Sequence, residues 1–188
     1  MGEMNLPIAL TCSRIAVIPV LIVCYMLSDS WGHPAAAILF TFAAFTDWLD
    51  GYLARSMQLS TRFGAFLDPV ADKLVVAASL VMIVAAHGND YLTVAAIIIV
   101  GREIGISALR EWMAEIGKRR SIAVSLLGKV KTTCQMLALI LLLWMNANSA
   151  PWVSKLGTFL LYVAAALTLW SMCLYLKLAW PDFKSESS

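Results

Sequence analysis

Residues 132–154, TTCQMLALILLLWMNANSAPWVS, contain no charge; after a single lysine, residues 156–176, LGTFLLYVAAALTLWSMCLYL, contain none either. Crossing the hydrocarbon core of a bilayer takes about 20 mostly apolar residues. In lipid every backbone N–H and C=O must be satisfied inside the protein, so runs of this kind read as helices. Four shorter charge-free runs lie upstream, at 15–28, 30–46, 74–89 and 91–101. Each reaches spanning length only when a charged end is included: Arg14, then Asp47, then Asp72 with Lys73, then Arg102. The pattern predicts an all-α polytopic membrane protein with six transmembrane helices, over 7–27, 34–55, 65–86, 91–112, 122–146 and 152–176. Polar residues and turn-formers mark the short connections, and no segment reads as a separate soluble domain, so 1–188 is expected to be a single integral membrane domain.

Composition agrees. Of 188 residues 61% are apolar and 14% charged, against about 25% charged in soluble domains. That excludes an ordinary soluble globule and a disordered chain. A net charge of +2 excludes nucleic acid as a partner, since phosphate neutralisation needs a strongly basic surface.

Lysine and arginine set the orientation. The loops after the first, third and fifth expected helices hold none, and Lys155 is the lone basic residue at that surface. The other side holds Arg55, Arg62, Arg110, Lys118, Arg119, Arg120, Lys177 and Lys184, which predicts that both termini are cytoplasmic. Trp31, Tyr91, Trp144 and Trp152 fall near the outer interface, and Trp48, Tyr52, Trp112, Tyr175 and Trp180 near the inner one. The first segment lacks a basic n-region and an A-x-A site, and Arg14 interrupts it, so it is expected to be retained. Cys12, Cys24, Cys134 and Cys173 are scattered without metal-ligand spacing and read as small hydrophobes. His33 and His87 fall in outer loops and read as interfacial.

The chemistry is concentrated elsewhere. Four of the 12 acidic residues, Asp47, Asp50, Asp68 and Asp72, fall in one short stretch. Positions 47, 50, 51 and 54 share one helical face, and 64, 68 and 72 share a face of the next helix. A short connection makes the two helices antiparallel, so the four carboxylates converge near the cytoplasmic boundary, with Gly51, Ala54 and Gly64 beside them. Bare carboxylates at that spacing repel, and desolvation adds to the cost. Protonation relieves this, and so do shared divalent cations; an all-oxygen set suits Mg²⁺ or Mn²⁺. Two such ions can stabilise the attacking and leaving oxygens of a phosphoryl displacement. Plainer readings exist for each residue: Asp68-Pro69 as a helix cap and first-turn proline, Gly51, Ala54 and Gly64 as packing residues, Asp50 as a partner of Arg55 or Arg62. Their joint occurrence on two faces that meet favours a metal site.

The stretch Asp50-Gly51-x2-Ala54-Arg55-x8-Gly64-x3-Asp68-x3-Asp72, with Asp47 completing the four acids, resembles the signature of the CDP-alcohol phosphotransferase family at every position. The likeness extends to Asn5-x-Pro7-x3-Thr11-x2-Arg14, to Gly101-Arg102-Glu103, to Ala108-Leu109-Arg110-Glu111-Trp112 and to Gly128-Lys129-Val130-Lys131-Thr132. The resemblance implies six transmembrane helices, a homodimer and a bacterial cytoplasmic (inner) membrane location. It implies two divalent metal ions, Mg or Mn, held by Asp47, Asp50, Asp68 and Asp72, with Asp72 as general base. Gly51, Ala54, Arg55 and Gly64 would contact CDP. The reaction implied moves the phosphatidyl group from CDP-diacylglycerol to sn-glycerol 3-phosphate, giving phosphatidylglycerophosphate and CMP in phospholipid biosynthesis.

The residues are consistent with that chemistry. A primary hydroxyl needs a base within hydrogen-bond reach, and a departing nucleotide needs cationic stabilisation. A phosphate-bearing acceptor needs Arg and Lys, and Arg102, Arg110, Lys129 and Lys131 lie on the inner portions of the fourth and fifth helices. Positions 102 and 110 are about 80° apart around a helix, so both can lean toward one pocket, whereas 129 and 131 are about 200° apart and only one is expected to face it. Arg14 and Thr11 are weaker candidates, for acceptor phosphate and nucleotide respectively. Lys118, Arg119 and Arg120 read as topological charge. Acceptors for cardiolipin or phosphatidylserine synthesis are the alternatives within the family, but they lack the small phosphomonoester. A cation transporter is a remoter one, because its acids would sit near the bilayer midplane in repeated halves.

Overall fold

The computed structural model describes the backbone of residues 6–27, 30–57, 62–88, 90–115, 126–146 and 149–186. Within these, side chains at 6–10, 48–57, 62–65, 110, 114, 126–127 and 178–186 lie outside the description. The described elements are all helical: α1 Leu6–Leu27, α2 Gly32–Met57, α3 Arg62–His87, α4 Asp90–Glu115, α5 Leu126–Trp144 and α6 Pro151–Glu186. The all-α expectation therefore holds, and each helix overlaps one of the expected segments. Three stretches, Phe66–His87, Asp90–Met113 and Pro151–Lys177, are long and apolar enough to cross a membrane, and Thr11–Leu27 is a shorter apolar helix.

The ends differ from the expectation for physical reasons. A bilayer limits the apolar span, not the helix, so α6 continues to Glu186 rather than stopping at 176. At 1.5 Å per residue it is roughly 54 Å long, well beyond a hydrocarbon core of about 30 Å. α3 begins at Arg62, which puts Pro69 inside the helix. Asp68-Pro69 is therefore not a cap with a first-turn proline, and that explanation for Asp68 falls away. Gly88, with φ of 55°, ends α3 in the left-handed conformation that glycine adopts without strain. The expected start of α5 at 122 lies outside the described residues.

The chain forms two compact units, Met1–His87 with Leu139–Gly157, and Gly88–Ala138 with Thr158–Ser188. In the first, α1 packs against both α2 and α3. Ala36, Ala37 and Ala43 on α2 are buried, as are Ala71, Val75, Leu80 and Ile83 on α3. Small residues at such faces let helix backbones approach closely, which is how helices associate where lipid supplies no hydrophobic drive. Gly32 is the extreme case: a Cβ there would lie 2.2 Å from the backbone oxygen of Cys24. Tyr25 stacks on His33 with ring centroids 4.2 Å apart, and His33 Nδ1 bonds the Met145 carbonyl. His87 Nδ1 bonds the Ile83 carbonyl. Both histidines thus lie at helix ends, His33 in α2 and His87 in α3, rather than in the loops expected.

In the second unit Leu92, Ala95, Ala96, Ile99, Ile106 and Met113 form the buried stripe of α4, and Leu161, Ala164 and Ala165 that of α6. Val94, Ile97, Ile104, Phe159 and Trp170 face outward. Large apolar side chains exposed in this number fit a surface whose solvent is lipid. Trp31, Tyr91, Trp144 and Trp152 are each exposed at or beside a helix end, as interfacial anchors are. Polar side chains inside the helices are satisfied locally: Thr41, Ser79, Ser107 and Thr168 each donate to the carbonyl four residues back.

Candidate active site

Asp47, Asp68 and Asp72 come together in the first unit, on α2 and α3, around two polar residues of α1. Asp68 and Asp72 are one helical turn apart on α3, and Asp47 lies in the second half of α2. Thr11 and Arg14, three apart on α1, share a face. Thr11 Oγ1, fully buried, donates to Asp68 Oδ1. Arg14 Nη1 donates to Asp47 Oδ1 at 2.8 Å and to Asp72 Oδ1 at 2.5 Å. Arg14 is 2% exposed, while Asp47 and Asp72 are 43% and 42% exposed. A buried guanidinium thus ties two carboxylates from different helices, each with an accessible side. α2 runs unbroken through 50, 51, 54 and 55, and α3 through 64. The side chains of Asp50, Ala54 and Arg55 lie outside the described residues.

Arg14 therefore has a place that sequence reasoning did not assign. The sequence places it among the acceptor-phosphate ligands; in the structure it stands between Asp47 and Asp72. The signal was available: Arg14 is the only charge in the first apolar segment, and a cation there needs an anionic partner. Thr11 likewise sits on Asp68.

Among the described residues no three acid, histidine or cysteine side chains are set to hold a metal ion. The donors nevertheless fit one in kind. Asp47 and Asp72 offer oxygens that already converge on one cationic nitrogen, and hard divalent ions take carboxylate oxygen.

The other expected acceptor residues, on α4 and α5, belong to the second unit. Glu103 Oε1 accepts from Arg102 Nη1 at 2.8 Å and from Lys131 Nζ at 3.1 Å, which joins α4 to α5. Lys131 is buried and Lys129 exposed, as the 200° separation requires: one of the two turns inward, and it is Lys131. The side chain of Arg110 lies outside the described residues. Glu103 was not among the expected site residues; its sequence signal was only its place beside Arg102. The same unit holds a groove of about 680 Å³ whose lining includes Tyr91, Ala95, Ile98, Tyr162 and Ala165. It offers no acid and no cation, and so no chemistry for the transfer.

A family model described as CDP-alcohol phosphatidyltransferase matches residues 4–170. A protein of Salmonella choleraesuis named CDP-diacylglycerol–glycerol-3-phosphate 3-phosphatidyltransferase is 51% identical over 184 residues, covering 98% of this chain and 100% of that protein. Proteins of the same name from Pseudomonas fluorescens and Escherichia coli K12 are also 51% identical; the former match covers 97% of this chain and 94% of the relative, the latter 98% and 100%.

Proposed function

The chain belongs to the CDP-alcohol phosphatidyltransferase family, and on that premise we propose that it transfers the phosphatidyl group of CDP-diacylglycerol to sn-glycerol 3-phosphate, releasing CMP. The observation that carries this reading is 51% identity over essentially the whole length to relatives named for that reaction, with every position of the acidic signature present. The match at 4–170 runs through both compact units, which supports treating 1–188 as one catalytic membrane domain. Six spans, cytoplasmic termini, a bacterial inner-membrane location and a homodimer belong to the same proposal. The basic residues on one side of the apolar segments support the orientation.

The family uses divalent metals. Here Mg²⁺ or Mn²⁺ would be held by Asp47, Asp50, Asp68 and Asp72, and when bound would stabilise negative charge on the diphosphate. This chain's residues do the rest. Asp72, tethered through Arg14 but 42% exposed, takes the proton of the acceptor's primary hydroxyl. That oxygen forms a new bond to the phosphatidyl phosphorus, and the bond from that phosphorus to the CMP oxygen breaks. Thr11 and Arg14 fix the carboxylates, so little reorganisation is needed as charge moves. Gly51, Ala54, Arg55 and Gly64 contact the CDP portion. Arg102 and Lys131, with Lys129 and Arg110 nearby in sequence, take the acceptor phosphate. A lipid donor suits a site at a membrane boundary: acyl chains remain in the bilayer while cytidine faces water.

The test is CMP release by purified protein from CDP-diacylglycerol with glycerol 3-phosphate, serine or phosphatidylglycerol as acceptor, with and without Mg²⁺ or Mn²⁺. Release that requires both glycerol 3-phosphate and a divalent ion is expected. Turnover with serine or phosphatidylglycerol but not glycerol 3-phosphate would move the enzyme to another branch of the family.

A further inference from the structure

Glu103 is a half-buried carboxylate on a membrane-embedded helix that serves two cations through one oxygen. Lys131 Nζ and Arg102 Nη1 both donate to its Oε1. Side-chain exposure is 4% for Lys131 and 12% for Arg102, so water does little to hold either in place. Adjacent helical positions point about 100° apart, so Arg102 must be drawn across to reach its neighbour. Arg102 Nε is buried with no hydrogen-bond partner among the described residues, so the guanidinium keeps donor capacity beyond Glu103. A neutralising pair needs one cation; a carboxylate shared by two sets an arginine on α4 and a lysine on α5 side by side, with Arg102 still holding an unused donor.

We infer that Glu103 is a positioning residue for acceptor binding: through the Arg102–Glu103–Lys131 triad it holds two cations in register for the phosphomonoester of glycerol 3-phosphate. This rests on the reading of Arg102 and Lys131 as acceptor ligands. Glu103 does not touch the reacting atoms. It fixes an arginine and a lysine whose separate side chains would otherwise repel one another and lose their geometry in a medium that screens charge poorly.

The experiment measures the KM for each substrate in purified full-length protein. Glu103→Gln keeps shape and loses charge; its KM for glycerol 3-phosphate should rise about tenfold or more, as expected for loss of charge-assisted hydrogen bonds. The KM for CDP-diacylglycerol should stay within about twofold. Glu103→Asp keeps the charge on a shorter arm and should fold where Glu103→Gln does not. It should raise the glycerol 3-phosphate KM about threefold or more, because reach rather than charge has been lost. A wild-type KM in Glu103→Asp, or equal rises for both substrates, would overturn the positioning role. Arg102→Gln and Lys131→Met separate this from the underlying reading. If they raise the glycerol 3-phosphate KM while the Glu103 variants do not, Glu103 has no positioning role. If neither moves it, the acceptor assignment itself fails.

Discussion

Arg14 is the strongest test of how the acid cluster is held. Arg14→Met keeps much of the apolar stem's volume and removes the donor to Asp47 at 2.8 Å and to Asp72 at 2.5 Å. A hydrogen bond to a charged group contributes about 1.5–3 kcal/mol when buried. The arginine is 2% exposed, but its partners are 43% and 42% exposed, so water recovers part of what the carboxylates lose. A net cost of about 2 kcal/mol follows from that balance. For a chain of this size it corresponds to a fall in Tm of roughly 4–8 °C. The assay is thermal unfolding in detergent without added divalent ions, run as a double-mutant cycle with Asp47→Asn. Once Asp47 is neutral, Arg14 has less to hold, so Arg14→Met should cost about 1 kcal/mol less there than in the wild type. Additivity within about 0.5 kcal/mol would refute the claim that Arg14 and Asp47 share this energy.

Two further outcomes follow from the same geometry. Asp72→Asn should abolish turnover while divalent-ion binding, followed by calorimetry, partly survives; loss of binding equal to that in Asp47→Asn and Asp68→Asn would remove a separate base role for Asp72. Gly32→Ala should destabilise by about 1–3 kcal/mol or more, since its Cβ would lie 2.2 Å from a backbone oxygen that cannot rotate away. Gly105→Ala, whose Cβ would meet nothing within 4 Å, should be neutral or gain up to about 1 kcal/mol from helix propensity. Equal melting temperatures for the two variants would contradict the close α1–α2 approach.

Much of this was legible in the sequence because apolar runs in lipid have few structural options. The runs 15–28, 30–46 and 74–89 each fall largely within one helix, α1, α2 and α3, as charge-free sequence requires. Their ends were less legible. The start of α3 at Arg62 and the end of α6 at Glu186 depend on backbone hydrogen bonding, which continues through polar residues once a helix is established. Asp47, Asp68 and Asp72 stood out because helical spacing collects them. Their partners did not, because Arg14 and Asp72 are 58 positions apart and tertiary pairs at that distance leave no periodic mark. The choice between Lys129 and Lys131 needed the rotation of α5, which two residues alone do not fix. Glu103 was hidden by its neighbour: next to Arg102 it read as a local counter-ion, and only Lys131 across on α5 shows that it is shared.

The most direct measurement follows the atoms. Purified protein is given CDP-diacylglycerol and glycerol 3-phosphate labelled in the glycerol carbons, with Mg²⁺ or Mn²⁺, and the lipid fraction is read by mass spectrometry. The account predicts a phosphatidylglycerophosphate carrying the label, formed in equal amount to CMP and absent when the divalent ion is chelated. Unlabelled phosphatidic acid appearing with CMP would mean that water, not glycerol 3-phosphate, is the acceptor, and would contradict the assignment.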